Sequence, residues 1–174
     1  MMEERKGIVA SQGKSLTLLG HPVKVGDVAT DVELIDNDLN PVELGSFKGK
    51  TIILASVPSL DTSVCDLETR RFNSEAAKLS SDVVILTISM DLPFAQKRWC
   101  GTAGVDRVKT LSDHREAAFG LAYGVLIKEL RLLARAVFIV DKEGKIRYMQ
   151  LVPDTSQEPN YEPILEVVRK LSDQ

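Results

Sequence analysis

Residues 51 to 57 read TIILASV, and the reading of that run decides the fold. It is short, nearly continuously apolar and β-branched at its start, the pattern of a strand buried on both faces. VVILTIS at 83–89 and AVFIV at 136–140 have the same character. IRYMQLV at 146–152 follows a Lys-Glu-Gly-Lys turn and alternates, as a hairpin partner of AVFIV would. Helical stretches lie between these strands. Residues 63–80 contain neither Gly nor Pro, and PFAQKRWC at 93–100 opens on Pro and ends before Gly101. Residues 114–122 and 160–172 complete the set. The order β-α-β-α-α-β-β-α defines an α/β domain with a mixed central sheet, helices on both faces and parallel pairing through helical crossovers. The thioredoxin-like fold is the simplest known three-layer architecture with that order.

Working outward, VELID at 32–36 and PVEL at 41–44 flank a turn, Asn-Asp-Leu-Asn. SLTLLGHPVKVG at 15–26 alternates loosely around Gly-His-Pro and is expected to form an added N-terminal β-hairpin. Residues 1–174 are expected to form one domain, with 1–14 a flexible extension.

The chain has 174 residues, of which 44% are apolar and 27% charged, enough for one domain with a substantial core. Its 22 basic and 25 acidic side chains are interspersed, giving a net charge of −3. Without a basic block, a nucleic-acid partner is not expected. MMEERKGIVA lacks the apolar core of a secretory signal, and no run approaches the roughly 18 apolar residues of a membrane span. A cytoplasmic location is expected. The two histidines, His21 and His114, and two cysteines, Cys65 and Cys100, show no CxxC or HxxxH spacing, so no metal site is expected.

The apolar run leads directly into Pro58 and then Cys65, in SVPSLDTSVC at 56–65. A thiol reacts as its thiolate. Thr62 or Ser63 can cap a helix that places Cys65 in its first turn, where free N–H groups and the helix dipole favour the anion. Helical phase puts Cys65 on one stripe with Phe72, Ala76 and Leu79, facing the sheet. That phase is equally the pattern of a buried core cysteine, and the neighbouring Asp66 and Glu68 oppose ionisation. Pro58 either simply ends a strand or shapes a lid over the sulfur. No Lys or Arg closely precedes Cys65. The candidate cation is Arg135, in LLARAVFIV, at the mouth of a strand that reads as buried. Its other reading is an Arg reaching the surface. Cys100, in KRWCGTAG, ends a short helix ahead of glycines, where fraying would let a sulfur travel. A buried Cys beside Trp99 is its alternative.

Together, Pro58, Thr62 and Cys65 form PxxxTxxC, and the sequence resembles a peroxiredoxin. PSLDTSVC, RRFN, DLPFAQKRWCG, AYGV and LLARAVFIVD resemble the thiol peroxidase branch of atypical two-cysteine peroxiredoxins. The resemblance runs from about residue 15 to the C-terminus. It implies that Cys65 is the peroxidatic cysteine, attacking a peroxide and becoming a sulfenic acid. It implies that Cys100 is the resolving cysteine, forming an intrachain disulfide with Cys65 that thioredoxin reduces, itself recharged by NADPH and thioredoxin reductase. Pro58, Thr62 and Arg135 would complete the peroxide pocket. The implied substrates are hydrogen peroxide and alkyl or lipid hydroperoxides, the implied assembly a homodimer, and no cofactor or metal is implied. Ala29-Thr30-Asp31-Val32 and Val57 depart from the family, which commonly has Ala-Pro-Asp-Phe and a Phe before the active-site Pro. A thioredoxin-like disulfide oxidoreductase or redox sensor is the competing class, but Cys65 is followed by Asp-Leu-Glu with no CxxC partner. A non-catalytic domain with two buried cysteines would show no thiol reactivity.

Overall fold

The computed structural model describes residues 2–105 and 107–173. TIILASV does form an interior strand of the sheet: β5 spans Thr51–Ser56, and every residue of it is buried. The other strands are β1 (Glu4–Ser11), β2 (Lys14–Leu19), β3 (Glu33–Ile35), β4 (Pro41–Glu43), β6 (Val83–Ser89), β7 (Lys109–Ser112), β8 (Leu126–Ile127), β9 (Leu132–Leu133), β10 (Ala136–Val140) and β11 (Ile146–Leu151). The helices are α1 (Ser63–Ala76), α2 (Pro93–Ala103), α3 (Ala118–Ala122) and α4 (Tyr161–Ser172), with a 3-10 turn over Leu44–Phe47. Seven strands form one mixed sheet in the order β11-β10-β5-β6-β7-β3-β4. Within it β5, β6 and β7 run parallel, joined through α1 and α2, and the remaining neighbours are antiparallel.

The period-2 geometry of strands sorts the core. Ile53 and Ala55 of β5 and Val137 and Ile139 of β10 pack with Phe72 of α1 and with Ile164, Val168 and Leu171 of α4. Trp99 and Ala103 of α2 border the same cluster. Ile52, Leu54 and Phe138 face the other way, toward Phe119 of α3 and a second, four-stranded sheet of order β1-β2-β8-β9. Each fully buried Val, Ile, Leu or Phe among them stabilises the fold by about 1.5–3 kcal/mol. The mixed sheet with helices on both faces is thus the expected thioredoxin-like layering. The second face is covered mainly by the hairpin sheet, since α3 has only five residues.

Register explains where the site falls. Because β10 runs antiparallel to β5, its first residue Ala136 pairs with Ser56, the last of β5. Arg135 therefore stands beside the loop that leaves β5 for α1. This is the carboxyl end of the parallel strands, the usual place for a site in an α/β sheet.

Several boundaries differ from the sequence reading. The N-terminal hairpin lies earlier than 15–26: β1 pairs with β2 about Gln12 and Gly13, both with positive φ (49° and 78°), as two-residue hairpins favour. Glu4–Ser11 is therefore paired strand within the stretch expected to be a flexible extension. The Gly-His-Pro turn serves instead as a close crossing. A Cβ on Gly20 would lie 2.3 Å from the Leu121 carbonyl oxygen, and His21 N–H donates to that carbonyl. Helix α2 passes through Gly101 and stops at Gly104, whose left-handed backbone (φ 68°) closes it. Cys100 therefore lies within the helix, not at its end. Helix α1 stops at Ala76 rather than 80, and α3 begins at Ala118 rather than 114. Strand β7 went unread because only four residues, the first a Lys, form it.

Candidate active site

Cys65 is the third residue of α1 and is 0% exposed. Its cluster consists of Val57 and Leu60, with the Trp99 ring packed against it. The first N–H groups of a helix have no partner within it and point toward this end of the sheet. The Arg135 guanidinium, 1% exposed, donates from Nη2 to Cys65 Sγ at 3.3 Å and to the Thr155 carbonyl at 2.9 Å. That carbonyl belongs to the loop after β11, which is fastened to β1 through Ala10. A buried thiol at a helix start thus has one long-range cation, held in place by the fold.

The loop over the sulfur is set by carboxylate contacts. Pro58 is buried at the strand exit. Asp91 Oδ1 accepts from Ser59 Oγ at 2.7 Å, and Oδ2 accepts from Leu60 N–H at 2.8 Å and from Ser89 Oγ at 2.7 Å. Thr62 occupies the N-cap position of α1 but makes no side-chain cap bond. Its hydroxyl donates instead to the Ser59 carbonyl at 2.9 Å. Sequence reasoning missed Asp91; its signal was a carboxylate two residues after a strand that ends in Ser89.

Glu68 changes an expectation. It lies one turn beyond Cys65 on the same helix face, is 0% exposed, and has neither carboxyl oxygen hydrogen-bonded. Arg135 Nη1 approaches it only to 3.7 Å, too far for a hydrogen bond. Burial pushes its pKa up to about 8, against the lowering effect of Arg135, with Glu158 adding to the rise. Burial thus favours the neutral acid at Glu68, the form that does not oppose an anion at Cys65. Asp66 is ionically paired, to Arg70 at 2.9 Å.

Cys100 is half-buried and lies in a different cleft, with Sγ 3.4 Å from Thr110 Oγ1. Asn37 and Arg107 also line that cleft, whereas Trp99 faces the Cys65 side. Both thiols are free. The structure thus brings Arg135 to Cys65, with Thr62 at the N-cap of the same helix and Pro58 in the loop before it, while Cys100 on α2 lines a cleft that none of the four lines. Of the departing residues, Val57 is fully buried against Cys65, and the Thr30 carbonyl accepts from Tyr123 Oη at 2.8 Å.

A thioredoxin-like sheet that carries one buried, arginine-contacted thiol at a helix start is the framework of a cysteine-based redox protein. Comparison with known proteins narrows this. A family model described as Redoxin matches residues 24–165. The chain is 53% identical to a thiol peroxidase of Bacillus subtilis over 94% of its own length and 97% of that protein's. It is 54% identical to a thiol peroxidase of Oceanobacillus iheyensis, over 93% and 98% of the two chains. A peroxiredoxin-like protein from Aquifex aeolicus superposes with a TM-score of 0.89 at 42% identity, covering 98% of each chain. The chain belongs to the thiol peroxidase group of the redoxin family.

Proposed function

We propose that this thiol peroxidase reduces peroxides through Cys65 and regenerates itself through Cys100. The observation that carries the proposal is the Arg135 contact with a fully buried Cys65 sulfur at the start of α1. The Cys65 thiolate attacks one oxygen of a peroxide, the O–O bond breaks, and the sulfur is oxidised to a sulfenic acid. The departing oxygen leaves as hydroxide or alkoxide and takes up a proton. Charge grows on that oxygen in the transition state, so donors already in place lower the barrier. Arg135 and the helix N–H groups fill that role. The Thr62 proton is held by Ser59, so its free lone pairs accept the hydrogen of the attacked oxygen. Pro58 and Val57 exclude bulk water.

Cys100 then attacks the sulfenic acid, forming the intrachain disulfide and releasing water. A dithiol protein of the thioredoxin type reduces the disulfide by exchange. Because Cys65 is fully buried in its own cluster while Cys100 lines a separate cleft, α2 must rearrange between the two steps. Hydrogen peroxide and alkyl or lipid hydroperoxides are the proposed substrates, and one cytoplasmic domain assembled as a homodimer the proposed form. No helix among the described residues is long and apolar enough to cross a membrane.

An assay coupling NADPH oxidation to thioredoxin reductase, thioredoxin and the protein tests this reading. NADPH should be consumed on addition of hydrogen peroxide and of a bulky alkyl hydroperoxide. Consumption that persists in Cys65→Ser would overturn it.

A further inference from the structure

The two helices that carry the cysteines are fastened together by the residues next to those cysteines. Trp99, which precedes Cys100, donates from Nε1 to Asp66 Oδ1 at 2.9 Å, and Asp66 follows Cys65. Arg70 Nε donates to the other oxygen, Asp66 Oδ2, at 2.9 Å. Arg70 Nη1 reaches the carbonyl of Ala103, the last residue of α2, at 3.2 Å. The same guanidinium lies 5.8 Å from the Trp99 ring centroid, within cation–π range. One carboxylate thus receives a donor from each helix, and Arg70 spans both.

We propose that Asp66, Arg70 and Trp99 form a clamp that times the step between peroxide attack and disulfide closure. The inference rests on the assignment of Cys65 and Cys100 made above. Cys65 is fully buried in a cluster that Trp99 packs against, and Cys100 lines another cleft, so for the two sulfurs to meet Trp99 must leave and the last turns of α2 must unwind. That movement breaks the indole bond, the Arg70–Ala103 bond and the cation–π contact together. Helix α2 is weakly held by its own sequence at this end. Gly101 and Thr102 are poor helix formers, and Gly104 already stops the helix. The clamp therefore supplies much of what keeps it closed. It is also suited to release, since the Asp66 and Arg70 side chains are 32% and 48% exposed and water can replace their contacts.

The clamp decides the fate of the sulfenic acid. While it is closed, the peroxide pocket stays assembled, and a second peroxide can oxidise Cys65–SOH to the sulfinic acid, itself being reduced to water or alcohol. Once it is open, the Cys100 thiol condenses with Cys65–SOH and expels water. Asp66, Arg70 and Trp99 are positioning residues here, because none of them has to touch the peroxide.

The test compares the wild type with Trp99→Phe, which keeps the ring but loses the donor, and with Arg70→Met and Arg70→Lys. Reduced protein is mixed with stoichiometric hydrogen peroxide, quenched by acid and alkylation, and the disulfide fraction is followed by intact mass. Disulfide closure should run roughly five- to tenfold faster in Trp99→Phe and Arg70→Met, the scale of one ordinary hydrogen bond lost where solvent screens the charge. The peroxide needed to half-inactivate each variant should rise by a similar factor. Thiol loss on first contact with peroxide should change little in Arg70→Met, and Arg70→Lys, which can still pair with Asp66, should fall between. A merely structural role would shift the melting temperature without this split between steps. Unchanged or slower closure in both Trp99→Phe and Arg70→Met, with a wild type that forms the disulfide, would overturn the clamp alone. A wild type that forms no intrachain disulfide would overturn the cysteine pairing and the clamp with it.

Discussion

Arg135 Nη2 lies 3.3 Å from Cys65 Sγ although 70 positions separate the two residues in sequence. The pairing of β10 with β5 creates this contact, and the Thr155 carbonyl fixes its direction. A planar guanidinium can serve sulfur and carbonyl at once; a lysine ammonium on a flexible stem is less suited to both. Arg135→Lys is therefore expected to lower the rate of peroxide reaction by about 10²–10³, the typical cost of one preplaced transition-state donor. Circular dichroism should show the fold retained. A rate within threefold of wild type, roughly 0.65 kcal/mol of barrier, would remove Arg135 from the mechanism.

The cysteines should separate by step. Cys65→Ser should abolish peroxide consumption. Cys100→Ser should react once, turn over poorly with thioredoxin, and accumulate Cys65 sulfinic acid, visible as two added oxygens in the intact mass. Normal turnover in Cys100→Ser would require another resolving thiol. Trp99 is the only tryptophan and adjoins Cys100, so its fluorescence should differ between the dithiol and disulfide forms.

The central strands were legible because TIILASV, VVILTIS and AVFIV are buried on both faces and carry an unbroken apolar signal. The candidate site residues Pro58, Thr62, Cys65 and Arg135 could be singled out through local motif and through the improbability of an unpaired Arg opening a buried strand. Glu68 was visible, but its complete burial, which favours the neutral acid, was not. The bond from Trp99 to Asp66 could not be read, since it spans 33 positions and depends on how α2 lies against α1. Gly101 misled because a helix tolerates an interior glycine at a cost of about 1 kcal/mol, whereas the left-handed Gly104 ends it.

Asp91 holds the loop above Cys65 from outside it. It accepts from Ser59, Leu60 and Ser89, and its own carbonyl accepts from Ser112 Oγ. Removing the carboxylate frees the Leu60 N–H and two hydroxyls, and the Pro58–Thr62 turn loses its tether. Asp91→Ala is expected to destabilise the protein by about 2–3 kcal/mol and to slow peroxide reaction at least tenfold. Asp91→Asn keeps one accepting oxygen and should fall between. Chemical denaturation and stopped-flow thiol loss measure the two effects. Wild-type reactivity in Asp91→Ala would show that the loop holds its shape without this carboxylate.

Glu68 gives the fold a dependence on pH whose sign follows from its environment. Its carboxyl binds a proton more tightly in the folded chain, with a pKa of about 8 against an ordinary 4.5. Between those values the folded state holds one more proton than the unfolded state. The stability linked to this group is therefore fully present below about pH 4.5 and is lost progressively as pH rises to 8. The steepest loss attributable to one proton is about 1.4 kcal/mol per pH unit. Glu68→Gln has the shape of the neutral acid and cannot ionise. The variant should match the wild type most nearly below pH 5 and become relatively more stable toward pH 8. Above pH 8 it should also keep more peroxidase activity, because an ionised Glu68 draws Arg135 away from Cys65 and glutamine does not. Urea denaturation at several pH values, with peroxide rates on the same samples, measures both. A stability difference between wild type and Glu68→Gln that is the same at pH 5 and pH 9 would show that Glu68 ionises in the folded protein as it does in water.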